Sequence, residues 1–140
     1  SWADIPVCAA EDAQWYGEYH NGTSLSNFRW AQYDASPNFN WGSASPDESE
    51  VGNNTFSIKW TRIVNFAEPG TYRFTVGSDD GTRLYVNGTQ VISNWNNQSY
   101  NQGIRTADVV ITDRCQVQLE LHYYENKDNA RVSYDVVKVS

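Results

Sequence analysis

Apolar and polar residues alternate one by one along several long stretches of the chain. In Thr71–Val76, Tyr72, Phe74 and Val76 share one face while Thr71, Arg73 and Thr75 share the other. Val117, Leu119, Leu121 and Tyr123 alternate in the same way with Gln116, Gln118, Glu120 and His122. Phe56, Ile58 and Trp60 repeat the scheme, as do Val132, Tyr134 and Val136. Successive side chains of a strand point to opposite faces, so a period of two predicts strands with one face on a core. Nothing in the chain sustains the i, i+3, i+4 stripe of a helix. Arg83–Ile92 reads as a hairpin in which Asn87-Gly88 supplies the two positive-φ residues of a type I′ turn. That register sets Leu84 opposite Val91, both on one side. Short antiparallel strands punctuated by Gly, Asn, Asp and Pro predict an all-β sandwich or barrel.

Three segments break the alternation and read as loops. Phe28–Asn53 is a long polar connection holding Trp30, Pro37, Trp41 and Pro46. Ser93–Gly103 is amide-rich and carries Trp95 and Tyr100, and Tyr124–Ala130 closes the last hairpin. Long ordered loops on a sandwich are where binding residues concentrate.

The chain length of 140 residues suits one domain over residues 1–140. With no Met among them, these residues read as a piece excised from a larger protein. Ten Lys+Arg against 17 Asp+Glu leave a formal net charge of −7. That balance speaks against nucleic acid, whose binding rests on clustered cations and counterion release. No apolar run approaches the ~18 residues of a membrane span, so no membrane insertion is expected. Cys8 and Cys115 lack metal-type spacing; they form a disulfide in an oxidising compartment or remain two unpaired buried thiols. Sequons begin at Asn21, Asn53, Asn87 and Asn97, and they matter only where the host glycosylates.

Asp79-Asp80 is the unusual stretch. Neighbours on an extended strand diverge, so two adjacent carboxylates converge only at a sharp local deformation such as a turn or a cis peptide. On local chemistry the pair reads either as an ordinary acidic turn before Gly81 or as half of a cation site. Calcium takes six to eight oxygens, so a second loop would have to contribute. Tyr124–Ala130 offers Glu125, Asn126, Asp128 and Asn129. The alternating Asp spacing of an EF-hand is absent.

The run from Thr55 to Ile92, "NTFSIKWTRIV…PGTYRFTVGSDDGTRLYVNGTQVI", resembles the protective-antigen-type (PA-fourteen) domain. "WYGEYHNG" resembles its first strand, "NWGSASP" its first long loop and "LELHYYENKDNARVSYDV" its closing hairpin. This module is a jelly-roll-type β-sandwich found in anthrax protective antigen, fungal flocculins, bacterial sugar-binding adhesins and some glycosidases. In its lectin-like members two adjacent aspartates joined by a cis peptide bind Ca²⁺, and sugar hydroxyls complete the shell. The resemblance therefore implies Asp79 and Asp80 as calcium ligands. Asn126 is the implied amide, with Asn129 able to exchange roles with it, and Asp128 and Ala130 supply main-chain oxygens. Lys127 joins Asp79, Asp80 and Asn126 around the sugar. Trp95 and Tyr100 are candidates to cover its apolar face, with Trp41 and Tyr33 as alternatives, whereas Trp60 on its alternating strand belongs to the core.

Other chemistry is thin. His20 and His122 lack partners at ligand spacing, and Asp47, Glu48 and Glu50 form a solvated charge run. Adjacent carboxylates that share a cation cannot serve as the separated acid and nucleophile of a glycosidase. The expectation is a non-catalytic, extracellular, calcium-dependent carbohydrate-binding module of an adhesin or other secreted multidomain protein. A structural or protein-interaction domain without a glycan ligand, and an accessory domain of a secreted glycosidase, are the competing readings.

Overall fold

The computed structural model describes residues 7–140. Ten strands form among them: β1 (Trp15–Asn21), β2 (Phe28–Asp34), β3 (Phe39–Gly42), β4 (Phe56–Val64), β5 (Gly70–Asp79), β6 (Gly81–Val86), β7 (Thr89–Asn94), β8 (Arg105–Ile111), β9 (Val117–Glu125) and β10 (Ala130–Lys138). They make two antiparallel sheets, one ordered β2-β1-β4-β9-β6-β7 and the other β3-β10-β5-β8. The sheets face each other as a sandwich, and the alternating residues fill the space between them. Phe56, Ile58, Trp60, Phe74, Val76, Leu121 and Tyr123 are wholly buried there. Each such side chain contributes roughly 1.5–3 kcal/mol of burial free energy. Aromatic rings dominate one end: Phe39 stacks on Trp41 at 4.8 Å and lies parallel to Trp60 at 6.0 Å.

The long connection read from Phe28 to Asn53 contains two strands, β2 and β3. β2 hides its alternation because Trp30 shares its inward face with the polar Gln32 and Asp34. Asp34 is buried, and its carboxylate accepts hydrogen bonds from Tyr19, from Trp60 Nε1 at 2.8 Å and from Gln32 at 2.7 Å. A strand can turn a carboxylate inward when donors meet it, and no apolar period then remains to be read. β3 has only four residues, too few for its alternation to stand out, and β8 is an edge strand whose outward Val110 is 69% exposed and blurs its period.

The Asn87-Gly88 turn forms as expected, with φ of 49° and 80°. Its register needs one correction. The pairing shifts between Leu84 and Tyr85, so Leu84 faces Ile92 and Val91 is the extra residue of a bulge. The disulfide also forms, joining Cys8 to Cys115 with Cα atoms 5.3 Å apart.

A second correction concerns the ends of the strands. β9 and β10 do not pair with each other: β9 lies in the six-stranded sheet and β10 in the four-stranded one. The segment between them is therefore a corner from sheet to sheet and not a hairpin loop. Asp79-Asp80 is likewise a corner, from β5 in one sheet to β6 in the other. β6 pairs with β9, and β5 pairs with β10, which puts the two corners side by side.

Candidate functional site

Two neighbouring corners bring together residues that lie 46 positions apart in the chain. The Asp79–Asp80 peptide is cis. Carboxylate oxygens of Asp79, Asp80 and Glu125 all lie within 4.8 Å of one another. Arg131 on β10 is the cross-strand partner of Asp79, and Tyr124 on β9 is the partner of Gly81.

Asp80 is held from every side. Its N–H donates to the Tyr124 carbonyl at 3.0 Å. Its carboxylate accepts the N–H of Gln98 at 2.9 Å and the N–H of Asn126 at 2.8 Å. Its carbonyl accepts Ser78 Oγ at 2.7 Å and Gln98 Nε2 at 2.8 Å. The Tyr123 hydroxyl donates to the Asp79 carbonyl. Gly81 is required by this packing: a Cβ there would land on Cε2 of Tyr124 and 2.8 Å from its Cδ2. The acidic corner is thus rigidly built, with its second aspartate aimed by two backbone donors.

Electrostatically the corner is unbalanced. Glu125 is fully buried, and among the described residues neither of its carboxylate oxygens meets a hydrogen-bond donor. Burial pushes its pKa up to about 10, and the adjacent carboxylate of Asp80 and the charge of Asp79 push the same way. Asp79 is half-buried and rises to about 6, through burial first, then the charge and hydrogen bonding of Asp80 and the charge of Asp128. The same negative charges, added to burial, push the Tyr123 hydroxyl up. A buried carboxylate without a donor is costly unless it is protonated or meets a cation.

A hard cation fits this donor set. Three carboxylates and neighbouring amide and main-chain oxygens are the ligand types Ca²⁺ takes, and its charge would offset the repulsion among them. Asn126 is half-buried beside Asp80. Asp128 stands exposed at φ 75°, its N–H donating to Asn54 Oδ1 at 3.1 Å. Ala130 opens β10, buried, and pairs with Gly42. Lys127 and Asn129 are exposed on the same corner.

Sequence reasoning left Glu125 out of the ligand set, naming it only as one oxygen source in the loop. The signal was there: Glu125 continues the inward series Val117, Leu119, Leu121 and Tyr123, so parity turns an acid toward the core. Gln98 was not singled out, because its role depends on a long loop folding back over β5.

The expected aromatic platforms are partly covered. The Arg83 guanidinium lies 3.7 Å from the centroid of the Trp95 ring, and Tyr124 packs against that ring at 4.6 Å. The Arg131 guanidinium likewise covers Tyr100 at 3.7 Å, and the Tyr100 hydroxyl meets Ser133 Oγ. Trp41 is half-buried at the same end as the acidic corner, packed on Phe56 and Tyr123. Tyr33 lies elsewhere, on the outer face of β2 and 70% exposed. Of the histidines, His122 bonds Glu120 at 2.6 Å and receives Arg83 Nε at 3.2 Å.

The fold is thus an antiparallel sandwich in which the β5–β6 and β9–β10 corners meet in an acidic tip. The PA14 domain family profile matches residues 11–137, and the chain belongs to that family. It is 32% identical over 110 residues to the anti-sigma-I factor RsgI3 of Acetivibrio thermocellus, a match covering 79% of this chain and 17% of the relative. The solved structure of an anti-sigma factor domain-containing protein superposes with a TM-score of 0.84 at 29% identity, over 91% of this chain and 43% of that one. The PA14 sugar-binding domain of an RTX adhesin shares the fold with a TM-score of 0.65 at 20% identity, over 90% of both chains. The chain spans less than half the length of the two anti-sigma relatives.

Proposed function

We propose that this domain is the glycan-recognition module of a larger extracellular protein, and that it binds sugar through Ca²⁺ held at the acidic corner. The observation that carries the reading is Glu125: a buried carboxylate without a donor, set against Asp79 and Asp80. Asp79, Asp80 and Glu125 would hold the ion, with Asn126 and main-chain oxygens of Asp128 and Ala130 beside them. Bound there, Ca²⁺ would supply open positions that accept neighbouring sugar hydroxyls. The backbone donors on Asp80 keep its carboxylate aimed, and the buried floor of Tyr123 and Glu125 excludes water from beneath. Lys127 and Asn126, on the rim, are placed to meet hydroxyls at the edge of the sugar. Trp41, Trp95 and Tyr100 border the same end. The name of the RTX adhesin domain, which is described as sugar-binding, supports the same reading.

Nothing in this reading asks the domain to be a catalyst. The Cys8–Cys115 disulfide favours an oxidising compartment. A glycan array probed with excess calcium and again with chelator tests the proposal. Calcium-dependent binding to a sugar supports it, and silence across a broad array in calcium contradicts it. The RsgI3 relative favours one particular setting, in which the module is a domain of an anti-sigma factor rather than part of an adhesin. The gene neighbourhood and the full-length chain distinguish the two settings.

A further inference from the structure

A groove of about 540 Å³ lies on the outer face of the six-stranded sheet. A second hollow of about 530 Å³ continues it, sharing Asp12 and Tyr16 and reaching Tyr33. Register explains the floor. Tyr33, Tyr16, Thr61, Glu120, Tyr85 and Gln90 are successive cross-strand partners on β2, β1, β4, β9, β6 and β7. They form one row crossing every strand of the sheet, roughly 24 Å long at about 4.8 Å per strand. Tyr33, Tyr16, Thr61, Glu120 and Tyr85 point outward, because their chain neighbours Asp34, Trp15, Trp60, Leu119, Leu121, Leu84 and Val86 are buried, and Gln90 is exposed at the end of the row.

The chemistry of the row is aromatic toward its ends and polar in the middle. Tyr16 and Tyr33 are 39% and 70% exposed, with ring centroids 5.5 Å apart. Tyr85 sits three strands from Tyr16, roughly 14 Å away. Between them lie Thr61 and Glu120, and Glu120 is oriented by its 2.6 Å bond to His122 Nε2. Asp12 and Gln118 stand on the rim.

We propose that this row is a second ligand site, which takes a neutral linear oligosaccharide lying across the strands and works without the cation. Sugar rings present apolar faces to the tyrosines and hydroxyl edges to Glu120, Thr61 and Gln118, and a chain of them matches a row longer than one ring. Arg62 also lines the groove but is paired with Glu11 at 3.2 Å, so the carboxylates of Glu120 and Asp12, on a chain of net charge −7, disfavour uronate, sulfate and phosphate polymers. An extended peptide adds to a sheet edge through its backbone, whereas this row crosses the middle of the sheet, where the backbone is already paired. The site is independent of the acidic corner. Glu120 lies roughly 17 Å from Glu125 along β9 and on the opposite face.

Calorimetric titration of the whole chain in excess chelator tests this, using cellohexaose, xylohexaose and mannohexaose as neutral probes and hexagalacturonate as the charged one. At least one neutral probe should bind while hexagalacturonate does not. Tyr16→Ala and Tyr85→Ala should each weaken binding by about tenfold, and Asp80→Asn should leave it unchanged. Tyr33→Ala, at the most exposed ring, serves if either variant melts early. Absence of binding by every neutral probe overturns the proposal. So does binding that needs calcium, binding that survives loss of the tyrosines, or a concentration-dependent dimer dissolved by Tyr16→Ala. On the array, binding lost in chelator reports the acidic corner and binding that persists in chelator reports the row, so either proposal can fail alone.

Discussion

At Asp79 and Glu125, burial and crowding hold two acids above their ordinary values, and this dictates how the metal-free protein responds to pH. Asp79 rises from 3.8 to about 6 and Glu125 from 4.5 to about 10. An acid raised on folding keeps its proton longer in the folded chain, so between the two values the folded state binds more protons than the unfolded one. Stability in chelator therefore falls as pH rises from about 4, through Asp79 first and then Glu125, and is not recovered at neutral pH. Melting temperatures measured in chelator across that range check the sign, and Asp79→Asn should flatten the slope between about pH 4 and 6. A metal-free protein that gains stability over that interval with no effect of Asp79→Asn would contradict the assignment. Gly81 makes a separate prediction. Gly81→Ala drives a methyl into the Tyr124 ring, so urea unfolding should show a loss of roughly 1–3 kcal/mol. At this scale the sequence already told of the Asp79-Asp80 pair, because neighbouring strand carboxylates should diverge. Glu125 was legible only through parity, and Gln98 not at all, since loop closure over β5 leaves no periodic trace.

Among the elements, strands with one mostly apolar face were readable from alternation alone: β4, β5, β9 and β10 follow their predicted inward residues. The elements that escaped share a cause. β2 turns Asp34 inward against Tyr19, Trp60 and Gln32, so polarity there marks burial instead of exposure. β3 is a four-residue edge, too short for its Phe39 and Trp41 to show as a period, and β8 is an edge with apolar Val110 on its outer face. The corners escaped because a change of sheet between β9 and β10 has the same local composition as a hairpin turn. The Cys8–Cys115 bridge ties the segment before β1 to the connection before β9, closing a loop with a sequence separation of 107. Replacing both cysteines by Ser should lower stability by about 2–5 kcal/mol, as measured by guanidinium unfolding under non-reducing conditions. A change under 1 kcal/mol would mean that the segment is held by its hydrogen bonds to Asn65 and Gln116 instead.

Seen whole, the molecule is a sandwich with both proposed sites at its periphery. One end gathers the β5–β6 and β9–β10 corners into an acidic tip, and the outer face of the larger sheet carries an aromatic row with its own polar centre. A weak single-site interaction at either place becomes useful attachment when the domain is repeated or its partner is polymeric. The central claim is that Asp79, Asp80 and Glu125 form a cation site, and calcium-dependent melting tests it most directly. The protein is first stripped with chelator, dialysed, and then melted over a calcium titration beside Glu125→Gln. Calcium at 100 times its Kd should stabilise the wild type by about 2.7 kcal/mol. Glu125→Gln should melt above the wild type without calcium and gain little on its addition. A stripped wild type whose melting temperature is indifferent to calcium would contradict the claim.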